Sequence, residues 1–361
     1  MDLQERAKML NGYSYKKFLN GFSTEYVKEF IIKRFVTYVK KYNLQSAVLG
    51  ISGGIDSTLC AYLIHEAKRQ LPKDFKLIGR SYPIKNTQAE NTAAKLVGEA
   101  FCDDFEVVSL YDEFQSLLEG TNREQESFLK ETERNRLIRE GNIQARLRMI
   151  HLYNLSQASR GIVIDTDNLT EHYLGFFTLH GDVGDLNPIG FLWKEEIFNC
   201  VRAYITNIRQ RIDDIEHPER NSAATFTTSM SPDNQFEILK ELHGSLNAFE
   251  ESAKLIPTDG LGITSSDLEQ IGAESYADVD DILFTFTDYA NREDKEVTWD
   301  KLMWALCRKY TVEVVMAVFY RWQGSMYKRG EHPFRFHRDE FIAFKDNPLS
   351  SVNVPPYEDY V

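Results

Sequence analysis

The chain has 361 residues, 42% of them apolar, and a formal charge of −13. That length supports one large α/β domain or two smaller ones, the apolar content is that of a globular protein, and no apolar run is long enough to span a bilayer. The acidic balance speaks against an extended nucleic-acid surface but leaves room for a local basic pocket.

Cys60, Cys102, Cys200 and Cys307 are widely spaced and form no C-x-x-C pair. Their spacing argues against zinc, an iron–sulfur cluster or a disulfide framework, and for a reducing compartment. Cys60 reads as a packed core thiol. Residues 1–11 are polar without a signal-peptide pattern, so the expected location is cytoplasmic.

Residues 12–45 read as largely helical. Val27, Phe30, Ile31, Phe35, Tyr38 and Val39 recur at three- and four-residue intervals. Ser23 can cap the start, with Phe22 stapled on Val27. The apolar run Ala47 to Ile51 is too short for a helix and is punctuated by glycines, so it reads as a buried strand. After S-G-G-I-D-S, Leu59, Leu63 and Ile64 recur at helical spacing. Strand, glycine turn and helix together suit phosphate. The glycines permit a tight turn and close approach, and the helix start presents unpaired N–H groups. Ser52 and Ser57 can donate to phosphate oxygens. Asp56 would repel phosphate unless it holds a bridging cation, and Mg²⁺ is commonly held by one or two carboxylates plus substrate phosphates. The loop is neither a Walker A loop nor a G-x-G-x-x-G fingerprint.

A second strand is expected over Lys76 to Tyr82, a helix over Thr87 to Phe101 and a third strand over Phe105 to Ser109. Strands alternating with helices imply βαβ units, a parallel sheet and ligands at the carboxyl ends of its strands. Residues 121–136 are dense in charge and read as a solvated helix or mobile loop. In G-N-I-Q-A-R-L-R-M-I, residues 141–150, Ile143, Leu147 and Ile150 set an apolar helical face. Arg146 and Arg148 then lie on different faces, and Arg146 is taken as the one placed to grip a phosphate or carboxylate bidentately.

A fourth strand, Gly161 to Asp165, runs into T-D-N-L-T-E, where Thr166 can bind nucleotide or cap the helix and Glu171 can be a second metal carboxylate. G-F-F-T-L-H-G-D-V-G-D, residues 175–185, reads as a shaped loop. Lys194 opens a helix of Ile197, Val201 and Ile205. Residues 206–254 read as a flexible excursion without site chemistry. I-P-T-D-G-L-G, residues 256–262, is turn-rich, and Ser265 to Asp281 is acidic. Trp299 to Trp322 reads as one late packing helix. The basic stretch that follows, residues 326–338, is a solvated tail or a clamp on an anionic substrate.

The S-G-G-I-D-S string resembles the pyrophosphatase-type loop of enzymes that split ATP between its α and β phosphates. Together with G-N-I-Q-A-R-L-R-M, T-D-N-L-T-E, G-F-F-T, Asp185, Lys194, P-T-D-G-L and Y-K-R, in that order, it makes the chain similar to NAD synthetases of the ammonia-dependent type. The resemblance implies a Rossmann-like, doubly wound parallel sheet with helices on both faces, of the adenine nucleotide alpha hydrolase-like kind. It covers roughly residues 25–330, within a single catalytic domain over 1–361. That domain carries an insertion at 206–254 and a tail, 325–361, that starts basic.

The resemblance implies ATP-dependent adenylation of the nicotinate carboxylate of deamido-NAD (nicotinic acid adenine dinucleotide), release of pyrophosphate, and displacement of AMP by ammonia. Carried over by position, Gly50, Ile51, Ser52, Gly53, Gly54, Ile55, Asp56 and Ser57 cradle the ATP phosphates. Thr166, Lys194 and Thr258 contact ATP, Asp56 and Glu171 hold Mg²⁺, and Arg146, Asp185, Tyr327 and Lys328 contact the dinucleotide. Asp56 and Lys194 are the expected catalytic residues. A homodimer is implied. No glutaminase domain is expected, so free ammonia or a separate glutaminase would supply nitrogen. Neither a nucleic acid nor a membrane is an expected partner.

The chain departs from the family pattern. Asp165 and Asn168 stand where Gly and His are usual, Leu179 stands for a substrate-touching lysine, the 181–185 loop is one residue shorter, and Tyr327 stands where ammonia-dependent members often have His. Two alternatives follow: a related amidase acting on nicotinic acid mononucleotide or another carboxylate, and a non-catalytic nucleotide-binding relative.

Overall fold

A sheet of four short strands forms the centre of the protein. They are β1 (Ser46–Gly50), β2 (Lys76–Ser81), β3 (Asp104–Val107) and β4 (Gly161–Ile164), three of them largely buried and the edge strand β3 only partly. All are parallel, in the order β3-β2-β1-β4. The computed structural model describes residue 15 and residues 21–125, 131–220, 231–258, 263–291 and 297–330.

Side chains alternate across a strand, and the two faces fill with different helices. Ala47, Leu49, Leu77, Ile162 and Ile164 point into one core cluster. There they meet α1 (Thr24–Tyr42), α2 (Ile55–Lys68), α3 (Gln88–Phe101) and α7 (Lys194–Glu216). Val48, Ile78 and Val163 point the other way, onto Leu110, onto Phe114 of α4 (Tyr111–Gln125) and onto Leu147 and Leu152 of α5 (Glu133–Ala158). The fold is thus α/β and doubly wound. Fully burying each such side chain stabilises by about 1.5–3 kcal/mol.

The connections fix where a ligand fits. From β1 the chain steps outward through β2 to β3, then crosses back over the other face to β4 on the far side of β1. Strand order therefore reverses between β1 and β4, and in open α/β sheets the crevice beyond such a switch point is where ligands bind. Gly50 and Asp165 flank that crevice.

The short α6 (Leu169–Leu174) follows β4. Leu174 and Trp193 belong to a second apolar cluster, built mainly by a late helical layer. That layer comprises α9 (Asp267–Ile271), α10 (Tyr276–Asn291), α11 (Trp299–Lys309) and α12 (Val312–Gly324), with α13 (Met326–Arg329) behind it. Tyr15 is buried in the same cluster.

Two sequence expectations change. The segment 206–254 is not an excursion in its described parts: residues 206–216 complete α7, and Pro232–Lys254 form the long helix α8. Leu242, Ala248 and Phe249 of α8 are buried in the core beside α3. The small polar run that suggested flexibility, residues 221–230, lies outside the described residues. The expected single helix Trp299 to Trp322 is two helices, because the Thr311 hydroxyl accepts the Val314 N–H and starts α12 anew. The charged segment 121–136 divides between the end of α4 and the start of α5, with residues 126–130 outside the described range.

Candidate active site

The glycine loop is a tight turn held against β2 and α3. Ile51 N–H donates to Arg80 O at 2.8 Å, tying the loop to β2. Gly53 has φ +87°, and a Cβ there would lie 2.7 Å from both Ala94 N and Glu90 O, so only glycine fits between the loop and α3. The Ser52 and Ser57 hydroxyls are 3.1 Å apart, and Gly54 N–H donates to Ser52 Oγ at 3.2 Å. Gly54 is the N-cap of α2 and brings no side-chain cap. Amides at such an uncapped helix start are donors for an anion.

Three ionic side chains from three helices meet beside this loop. Lys194, the first residue of α7, is 2% exposed at its side chain and donates to Asp56 Oδ2 at 2.6 Å and to Glu171 Oε1 at 2.9 Å. Asn168 ties the same two carboxylates. Its Nδ2 donates to Asp56 Oδ1 at 3.0 Å, and its backbone N–H donates to Glu171 Oε2 at 3.3 Å, as part of the capping box that starts α6. Asn168 occupies the usual histidine position and still joins the two carboxylates.

Charge explains the grouping. Burial works against the Lys194 ammonium, but Asp56 and Glu171 outweigh it and hold the group protonated, well above the ordinary lysine value. Burial lifts Glu171 to about 7, with Lys194 opposing and Asp56 adding to the rise. Two carboxylates aimed at one cation are hard oxygen donors of the kind Mg²⁺ takes, with phosphates completing its shell. The residues therefore fit a divalent ion. Among the described residues no larger cluster of His, Cys, Asp and Glu offers another.

A cavity of about 700 Å³ opens at the strand ends. Of the expected site residues, Gly50, Ile51, Ser52, Thr166, Thr258 and Lys328 line it, whereas Gly53, Gly54, Ile55, Ser57 and the Asp56–Lys194–Glu171 cluster are not in its wall. Phe176, Phe177 and Thr178 form part of its wall. Lys328 is held there by the Gly175 and Phe177 carbonyls at 2.8 and 2.5 Å, and burial lowers its pKa.

Three expected substrate contacts lie elsewhere. Arg146 is exposed, donates to Leu179 O at 3.0 Å and is not part of the cavity wall. Asp185 accepts from Tyr153 Oη at 3.0 Å and from Val163 N–H at 3.1 Å, fastening the end of β4 to α5. Tyr327 is 67% exposed and outside the wall.

Of the pair Arg146 and Arg148, it is Arg148 that lines the cavity, together with Arg80, Arg134 and Arg321. Arg148 Nε donates to Tyr82 O at 3.0 Å, and burial lowers its pKa. No carboxylate lies within ion-pair distance of it among the described residues. Asp182 and Glu90 act on it from a distance, and a desolvated guanidinium that no carboxylate contacts directly suits an anionic ligand. The sequence held a signal for it: Gly141, Ala145, Arg148 and Leu152, at helical spacing, all line the cavity.

A family model described as NAD synthase matches residues 26–214, just over half of the chain. The NH(3)-dependent NAD(+) synthetase of Campylobacter jejuni (serotype O:6) is 35% identical over 180 residues, which are 50% of this chain and 65% of that one. The same-named protein of Methanocaldococcus jannaschii is 35% identical over 191 residues, 52% of this chain and 66% of its own. The chain thus spans less than two thirds of the length of these relatives. Among solved structures, the NMN synthetase of Francisella tularensis superposes with a TM-score of 0.59 at 22% identity, covering 88% of this chain and all of that one. A glutamine-dependent NAD(+) synthetase from Cytophaga hutchinsonii gives 0.52 at 20% identity, covering 85% of this chain and 50% of that one. These two likenesses speak to the fold. The family match runs from α1 through the glycine loop and T-D-N-L-T-E to α7, which carries Lys194, and on it the chain belongs to the NAD synthase family.

Proposed function

We propose that the protein is an ATP-dependent amide ligase that converts deamido-NAD to NAD with ammonia. The observation that carries this reading is the Asp56–Lys194–Glu171 cluster beside an uncapped, glycine-bounded helix start. A carboxylate is a poor acyl donor until one of its oxygens belongs to a good leaving group. In the first step the nicotinate oxygen attacks the α phosphorus of ATP, the bond to the β-phosphate oxygen breaks, and pyrophosphate departs. In the second, ammonia adds to the acyl carbon, AMP leaves and a proton is released. Neither step needs a protein nucleophile.

The chain's own groups then have these tasks. The amides from Gly53 to Ser57 and the Ser52 and Ser57 hydroxyls receive phosphate oxygens. Thr166 and Thr258 contact the nucleotide. Lys194 turns from the two carboxylates toward the departing phosphates, where positive charge is needed most in the transition state. Asp56 and Glu171 would hold Mg²⁺, which when bound neutralises phosphate charge and orients the leaving group. Arg148 and Lys328 receive the anionic groups of the acid substrate or of ATP.

A second reading takes nicotinic acid mononucleotide as the acid. It is favoured by Leu179 in place of a lysine, and by Arg146 and Asp185 being engaged away from the cavity. The experiment is AMP and amide formation from ATP, Mg²⁺ and ammonium, with each acid in turn. NAD from the dinucleotide alone supports the first reading, and amide from the mononucleotide alone moves the protein to the second. If neither acid yields amide while ATP binds, both of these substrate readings fail, and an amidase for another carboxylate, a missing partner or a nucleotide-binding role replaces them.

A further inference from the structure

Lys194 owes its place to a helix start that its own sequence does not cap. The N-cap of α7 is Trp193, whose side chain offers no acceptor for the first-turn amides. Glu196 turns back on the Trp193 N–H at 2.8 Å, leaving the amides of Lys194 and Glu195 to find partners elsewhere. They find them on two other helices. Thr170 Oγ1, from α6, accepts the Lys194 N–H at 2.8 Å. Asp280 Oδ2, from α10, accepts the Glu195 N–H at 2.8 Å. The Thr170 hydroxyl in turn donates to Asp280 Oδ1 at 2.5 Å.

All three residues are shut away from solvent: Thr170 and Lys194 are 1% exposed and Asp280 0%. Thr170 precedes Glu171, so the hydroxyl that fixes the lysine backbone sits on the same short helix as the carboxylate that the lysine grips. Asp280 places acceptor oxygens at the helix start, while its complete burial pushes its pKa up to about 8. The late helical layer is thereby tied by hydrogen bonds to the ionic cluster.

We infer that Thr170 and Asp280 are positioning residues for the reaction: they act as a borrowed cap that sets where the Lys194 ammonium stands relative to Asp56, Glu171 and the ATP phosphates. The inference rests on the role given to Lys194 under the proposed function. Its physical content is that a misplacement of about 1 Å at a charged group can cost about a hundredfold in rate, even where the fold survives.

The test is steady-state kinetics of the full chain with ATP, Mg²⁺, ammonium and whichever acid the protein turns over, alongside thermal melting. Thr170→Val removes the hydroxyl and keeps the shape. It is expected to lower kcat about 10- to 100-fold, with the KM for ATP held within about threefold. Thr170→Ser, which restores the hydroxyl, is expected to recover most of the rate. Adding Asp280→Ala to Thr170→Val should cost less in kcat than the two single losses combined, because the two residues hold neighbouring amides of one helix start and are hydrogen-bonded to each other. A Thr170→Val protein that melts like the parent and keeps kcat within about twofold would overturn the inference. So would a folded Thr170→Ser protein as slow as Thr170→Val, since the methyl and not the hydroxyl would then matter.

If Thr170→Val does not fold, Asp280→Ala decides. It removes the acceptor for Glu195 and the partner of the Thr170 hydroxyl, and an unchanged kcat in the folded variant refutes the borrowed cap. Lys194→Met separates the two levels. If it leaves kcat intact, the reading of Lys194 is wrong. If it abolishes turnover while the folded Thr170 and Asp280 variants do not slow, the positioning role alone is wrong.

Discussion

Replacing Lys194 with Met tests the ionic cluster without any substrate. The side chain is 2% exposed, and its carboxylate partners are 16% and 19% exposed, so water screens the trio poorly. Methionine fills a similar volume but leaves Asp56 and Glu171 facing each other without a cation. Removing one partner of a buried ion pair costs about 3–5 kcal/mol. For a chain of 361 residues, with an unfolding entropy of about 2 cal/mol/K per residue, that corresponds to a Tm lower by about 4–7 °C.

The loss has a direction with pH. Glu171 is already raised from 4.5 to about 7 by burial, and losing the ammonium raises it further. A carboxyl whose folded value is raised contributes no penalty below its unfolded pKa, and its penalty grows as pH rises toward the folded value. The Tm deficit of Lys194→Met is therefore expected to be small near pH 5 and full near pH 8. Magnesium supplies the missing charge: at pH 8 the variant should gain more Tm from Mg²⁺ over EDTA than the parent does, because only the variant has both carboxylates unclaimed. The assay is thermal denaturation at the two pH values with each additive. A deficit equal at pH 5 and pH 8 would refute the electrostatic account. A variant blind to Mg²⁺ would refute the metal role of Asp56 and Glu171.

Arg148→Ala is expected to weaken one anionic substrate about 10- to 100-fold in KM, the worth of one or two hydrogen bonds to a charged group, whereas exposed Arg146→Ala should change KM less than threefold in order of magnitude; equal losses would refute the assignment of Arg148 to the cavity. Gly53→Ala combines a positive φ with a Cβ 2.7 Å from the α3 backbone, so a loss of about 2–5 kcal/mol is expected from left-handed strain and overlap together, read as a lower Tm and weaker ATP binding; a native Tm would mean that the loop yields easily. Asp165 is raised to about 6, chiefly by burial, so the stability it permits at low pH is lost as pH rises from about 4 to about 6. Asp165→Asn carries no charge and should melt higher than the parent at pH 7.5 but not at pH 4; a pH-independent difference would show that burial of charge is not the cause.

The sheet and its loop were legible because their signals are local. β1 and β4 are short apolar runs, β2 and β3 mix apolar with polar residues, and each strand lies within about two residues of its expected place. The helix α8 was not legible, because the polar run before it masked the burial of Leu242, Ala248 and Phe249. The late layer was half legible. Its apolar spacing was plain, but the break at Thr311 depends on one hydroxyl turning back to cap a new helix.

The misplacement of the arginine has a sharper cause. Taking Ile143, Leu147 and Ile150 as the buried face of α5 turns Arg148 away from the sheet. Yet Ile150 is 63% exposed, while Gln144, Leu147, Met149 and Leu152 are buried. The true face is rotated by about one residue, enough to bring Arg148 into the cavity and put Arg146 outside with Ile150 and Tyr153. A helix beside a polar cavity need not bury its most apolar stripe, because a charged residue facing a ligand takes part of the inner face. The same logic governs Thr170 and Asp280. They lie 110 positions apart, and each alone reads as an ordinary helix residue. Only the need of two amides at an uncapped helix start brings them together. An uncapped helix start that carries a buried ionic side chain is therefore a place to search for distant partners, and here they include Asp280 from the far helical layer.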